Sequence, residues 1–232
     1  MRLLPLLVLA LVLAGCPEPV PEPEPEAELL FAFPVSDPEL ISGTVLMDHD
    51  PEVHDDSTLG GAICTNFEGE GFPDCYDEHD GSDFLLEGGF DTMDAGSTAI
   101  IAAADGTVVD IEPEQYDHCH TADTEITCDG HPIRANSVIL EHSGGLVTRY
   151  WHLMTDSVVV EPGDEVACGD VLGTMGSSGV SSMPHLHFEV NVGDRDGEAV
   201  DPYAGPYSQP ESLWIEQVDA YGLPALGCVE GA

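Results

Sequence analysis

The chain has 232 residues, enough for one ordinary domain with appendages. Its 45 acids face only 4 arginines and no lysine, a formal charge of −41. That balance excludes nucleic acid and an anionic membrane surface as charge-driven partners, because phosphate contacts need Lys and Arg. A hydrophobic content of 42% still suffices for a core and argues against global disorder.

Residues 1–15 read as an export signal, with Met1-Arg2 followed by an apolar run from Leu3 to Leu13 broken only by Pro5. The run is too short to span a bilayer as a mature helix. It ends in Leu13-Ala14-Gly15-Cys16, which resembles a bacterial lipobox; that resemblance implies cleavage before Cys16 and lipid on its thiol. Residues 16–28 alternate Pro and Glu, a composition that holds the chain extended as polyproline II and makes a tether.

Apolar content returns at Leu29-Leu30-Phe31-Ala32-Phe33, the start of a domain assigned to 29–205. Short β-branched or apolar runs recur at 98–103, 107–111, 137–141, 146–151, 157–160, 171–172 and 185–192, punctuated by Gly, Asp, Asn, Ser and Pro. No stretch has a long, capped helical period. The expectation is a mainly β domain, an antiparallel sheet of sandwich-like type with long loops. Residues 112–136 read as an inserted loop, and residues 206–232, with Trp214 and Tyr221, as a covering segment. The run Asp48-His49-Asp50 through Asp56 is rich in oxygen ligands but has no EF-hand spacing, so it reads as a solvated acidic loop.

Six cysteines remain beyond Cys16, an even number that suggests disulfides in an exported chain. Proximity favours Cys64–Cys75 and Cys119–Cys128, leaving Cys168–Cys228. The rival is a thiolate metal site around His118-Cys119-His120 and Cys128.

Three stretches carry candidate chemistry. In Pro184-His185-Leu186-His187-Phe188-Glu189, residues two apart share a strand face, so two imidazoles converge. In His79-Asp80-Gly81-Ser82-Asp83, an even spacing on extended chain puts an imidazole and a carboxylate on one face. One imidazole and one carboxylate joined to a second imidazole make three ligands, the number that leaves a catalytic zinc one open position. Between them, His152 follows the alternating run Leu146–Trp151.

The order of these stretches resembles peptidase family M23, the lysostaphin/LytM-type zinc endopeptidases of peptidoglycan. The family pattern is His-x-Gly-x-Asp, a Gly-x-Val strand, Tyr-x-His-Leu, and a glycine-rich approach to His-Leu-His-Phe-Glu. Here it runs through His79 to Asp83, Gly106-Thr107-Val108, Tyr150-Trp151-His152-Leu153, and Gly173 to Gly179 before His185. The match covers roughly residues 75 to 205. The resemblance implies His79, Asp83 and His187 as Zn²⁺ ligands, His152 and His185 as catalytic histidines, and a peptidoglycan peptide as substrate. Glu189 is placed opposite His187 by strand alternation and is not counted as a ligand. Pro17 stands where inner-membrane lipoproteins of Gram-negative bacteria carry aspartate. That implies a cell-envelope location with the lipid anchor in the outer membrane, facing the periplasm.

Overall fold

In the computed structural model the described residues are 29–54, 63–96, 98–218 and 222–228. The signal, Cys16 and the tether lie outside them, as does Tyr221. The strands, in chain order, are β1 (Ile41–Val45), β2 (Ser82–Leu86), β3 (Ala99–Ile101), β4 (Gly106–Glu112), β5 (His120–Ala122), β6 (Glu125–Thr127), β7 (Ser137–Glu141), β8 (Leu146–Trp151), β9 (Glu165–Val166), β10 (Val171–Thr174), β11 (His185–Val192) and β12 (Glu198–Ala199). The one α-helix among the described residues, α1 (Phe90–Asp94), is five residues long.

One eight-stranded sheet dominates. Its order is β1-β2-β11-β8-β7-β4-β9, with β12 added to β11, and every pairing is antiparallel. The mainly antiparallel β class expected from the residue pattern is therefore the observed one. Two-stranded pairs β3–β10 and β5–β6 stand apart from the sheet. Strand alternation splits the sheet into two faces. Phe84, Val138, Leu140, Tyr150, Leu186, Phe188 and Val190 join one buried cluster with Phe31, Phe33, Leu172 and Trp214. Phe33 meets Phe84 edge-on at 4.9 Å, and Trp214 lies 5.5 Å from Phe188. Backbone bonds from Phe31 to Leu213 and from Ile215 to Phe31 hold the N-terminal and C-terminal segments over this face.

The opposite face is polar, and the register aligns its side chains in rows. Asp83 pairs with His187, His187 with Trp151, Trp151 with Ser137, and Ser137 with Glu112. The next row reads Glu189, Arg149, Ile139 and Asp110. Cross-strand partners sit near enough for side chains to touch, so two polar rows cross the sheet from β2 or β11 to β4.

Several expectations need correcting. Residues 157–160 form no strand: Val159 donates one backbone bond to Leu172 and its side chain stays exposed. A β-branched run is necessary for a strand but needs a ladder partner along its length, and this one has a single bond. Conversely β2 and β1 are strands that composition did not announce. All three cysteine pairs bond as proximity suggested: Cys64–Cys75, Cys119–Cys128 and Cys168–Cys228. Cys119–Cys128 clasps the β5–β6 hairpin inside residues 112–136. The acidic loop is organised as well: Asp48 accepts backbone N–H bonds from Asp50, Thr65 and Glu78.

Candidate metal centre

His79 lies in the loop between the turn at Asp77-Glu78 and β2, and not on the strand that carries Asp83. The chain is held there by bonds from the Asp48 amide to the His79 carbonyl and from the His79 amide to the Tyr76 carbonyl. Glu78, at φ 60, makes the bend. The Tyr76 ring stacks on the imidazole at 4.1 Å. The His79 Nδ1–H donates to the Leu46 carbonyl at 2.8 Å. A carbonyl only accepts, so in the neutral ring Nε2 carries the lone pair.

That lone pair faces Asp83 Oδ1 at 3.2 Å and His187 Nδ1 at 3.2 Å, and His187 Nδ1 is 2.9 Å from the same oxygen. All three side chains are buried. Residues on β2, β11 and a loop thus bring one atom each to a common point, and these three form a group able to hold a metal ion. The chemistry of the set supports that use. Three buried groups turn acceptor atoms toward one another. One proton on His187 Nδ1 cannot satisfy every contact, whereas a divalent cation can. Two imidazole nitrogens and one carboxylate oxygen suit zinc.

Gly81 explains itself here. A Cβ on it would stand 2.7 Å from His187 Cε1 and 2.8 Å from Nε2, so only glycine lets the ring seat.

Two further histidines line the same volume. His152 sits just past β8 at φ 70, a left-handed conformation uncommon outside glycine, which turns its ring back toward the sheet. Its Nδ1–H donates to the Ser178 carbonyl at 2.6 Å. His185 donates from Nδ1 to the Met183 carbonyl at 2.8 Å. The two rings lie 4.5 Å apart. Both are thereby held in the tautomer that leaves Nε2 as an acceptor, and His185 Nε2 is 3.6 Å from Asp83 Oδ1. Burial lowers the pKa of both, well below the usual imidazole range for His152, where His185 and His187 add repulsion. Both are neutral at pH 7.

Asp83 and His187 shift the other way. Burial opposes ionisation of Asp83, but the His185 and His79 imidazoles that face it and the hydrogen bond from His187 outweigh it, holding the carboxyl well below its ordinary range. Burial likewise opposes the charged form of His187. The hydrogen bond to Asp83 and the nearby carboxylates of Glu189, Asp83 and Asp80 prevail, raising it to about 9.

Glu189 does not lie on the face opposite His187. Residues 187 and 189 are two apart on β11 and share a face. Glu189 Oε2 lies 3.9 Å from His187 Nε2, and neither atom has a hydrogen-bond partner. Asp80 Oδ1 is 3.7 Å from the same nitrogen. Oε1 of Glu189 is fixed by Arg149 and by Asn191 Nδ2. This carboxylate was missed although the two-residue spacing contained the signal.

A buried cluster of two imidazoles and one carboxylate, able to hold a metal ion, thus lies on the polar face of an antiparallel sheet beside two further imidazoles. The chain belongs to peptidase family M23, whose model matches residues 85–202. The matched span includes His152, His185 and His187 and begins just after Asp83.

Peptidoglycan DD-endopeptidase ShyA of Vibrio cholerae is 29% identical over 122 residues, 53% of this chain and 22% of that protein. The DD-carboxypeptidase/endopeptidase Mpg of Neisseria meningitidis is 36% identical over 76 residues, 33% of this chain and 16% of that protein. The matched region thus spans about a fifth or less of these relatives' lengths. Among solved structures, the catalytic domain of the antimicrobial peptidase lysostaphin from Staphylococcus simulans is 26% identical, with a TM-score of 0.38 over 58% of this chain and 82% of that one.

Proposed function

We propose that this chain is a zinc endopeptidase that hydrolyses peptide bonds of bacterial peptidoglycan, anchored to the cell envelope by lipid on Cys16. The observation that carries the reading is the convergence of His79 Nε2, Asp83 Oδ1 and His187 Nδ1 beside His152 and His185. His79, Asp83 and His187 are the metal ligands in this reading. Zinc bound there supplies Lewis acidity and lowers the pKa of water toward neutrality.

The protein's own groups do the remaining work. His152 and His185 present unprotonated Nε2 atoms to the site, each with Nδ1 committed to a carbonyl. Either ring can take the proton that a water loses on attacking a peptide carbonyl. The ring that takes it becomes an Nε2–H donor, able to stabilise oxyanion charge or protonate the leaving amine. Glu189 and Asp80 face His187 Nε2 and favour a proton on that nitrogen, which leaves Nδ1 for the metal. M23 membership and the peptidoglycan enzymes among the relatives support the substrate class.

The test is digestion of purified wall, with fragments identified by mass spectrometry. The wild type releases peptide-cleaved fragments, and His152→Ala and His187→Ala do not. Chelation abolishes release, and zinc restores it. An intact wall with every preparation would favour a non-catalytic wall-binding module instead.

A further inference from the structure

Beyond Arg2, the only Lys or Arg in the chain are Arg134, Arg149 and Arg195. They are far apart in sequence, yet all three line one cavity of about 420 Å³. The two polar rows of the sheet form its floor, and it reaches Trp151 and His152. Trp151 in turn pairs with His187 on β11. Arg134 is delivered by the end of the 112–136 insertion, which is seated where the Asn136 amide donates to Ser178 Oγ. Arg149 sits over the Trp151 ring at 4.5 Å.

We infer that this groove is the subsite for a carboxylate-bearing stretch of the peptide substrate, with Arg134 and Arg195 as its carboxylate-binding groups. The inference rests on the proposed peptidase function and names the substrate feature it selects. Elsewhere a chain of this charge repels an acidic ligand. In the groove Arg149 is matched by Glu189 beneath it, and Arg134 and Arg195 face the carboxylates of Asp110, Glu112 and Asp196, an excess of one carboxylate, so repulsion there is far weaker than over the rest of the surface. Arg134 and Arg195 keep 63% and 50% of their side chains exposed while paired with Glu112 and Asp110. Exposed pairs of this kind contribute little to stability and exchange partners at small cost. A guanidinium presents a planar fork that suits an incoming carboxylate. Arg149 is different: 18% exposed and bound to Glu189, it belongs to the floor.

The experiment uses the full chain and two synthetic wall stem tetrapeptides, one with free carboxylates and one fully amidated. Binding is read from tryptophan fluorescence, and cleavage in the same samples from mass spectrometry. The free acid is expected to bind about tenfold more tightly than the amide. Arg134→Gln and Arg195→Gln should each cut that preference by roughly threefold. Glu112→Gln, which releases Arg134 from its partner, should widen it. The preference should vanish in about 1 M salt, where screening acts within roughly 3 Å. Equal binding of acid and amide, no binding of either, or a preference untouched in both arginine variants overturns the inference. Acid preference without any cleavage upholds the subsite and contradicts the peptidase reading. Cleavage of both peptides with equal binding does the reverse.

Discussion

Gly81 and Glu189 show how closely the candidate site is specified by single side chains. A methyl group at position 81 would occupy the space of the His187 ring, 2.7 Å from Cε1. Gly81→Ala should therefore displace His187 and weaken zinc binding by about tenfold or more, read by competition with a chromogenic chelator. Unchanged affinity would mean that the ring seats elsewhere. Glu189→Gln tests the carboxylate behind the ligand and should cost roughly 10-fold to 100-fold in zinc affinity with the fold retained by circular dichroism.

The raised pKa of His187, about 9, gives a pH prediction with a definite sign. In the metal-free chain His187 is protonated at neutral pH, so a metal must displace that proton. Zinc affinity should rise with pH up to about 9, with about one proton released per ion at pH 7. Calorimetry in buffers of different ionisation enthalpy reads that number directly, and zero release would contradict the account. In the metal-free chain the same group stabilises the fold fully below its unfolded value of about 6.5, a contribution lost as pH rises through about 9.

The strands position these side chains, and one buried chain of hydrogen bonds ties β8 to the segment before β4. The His142 Nδ1–H donates to the Asp105 carbonyl, and its Nε2 lies 2.7 Å from Thr148 Oγ1. Thr148 Oγ1 donates to the Tyr150 hydroxyl, which also accepts the Ala103 amide. Burial lowers the pKa of His142. Its contribution is present above the unfolded value of about 6.5 and is lost as pH falls through the lowered folded value. Tyr150→Phe strands the Ala103 amide and should cost about 1–3 kcal/mol in urea unfolding. A change near zero would show that the network is dispensable.

At this level the sequence was partly legible. The runs that became β4, β7, β8, β10 and β11 stood out because β-branched residues alternate or cluster between turn formers. β1 and β2 did not, since Ile-Ser-Gly-Thr-Val and Ser-Asp-Phe-Leu-Leu draw their strand character from neighbours rather than propensity. The histidines were legible because their spacing is local. The arginine groove was not, because only the register of β4, β7, β8 and β11 brings Asp110, Ile139, Arg149 and Glu189 into one row.

Taken together, the chain combines a mixed core, three disulfides and a charge of −41. Self-repulsion of that size should make the fold salt-dependent: melting temperature should climb as NaCl screens the acids, and a flat response would contradict this. The most direct test of the central claim is anomalous diffraction at the zinc edge from crystals of the zinc-loaded protein. The account predicts one strong peak about 2.0–2.2 Å from His79 Nε2, Asp83 Oδ1 and His187 Nδ1. A peak bonded to other residues, or none within reach of these three atoms, would contradict it.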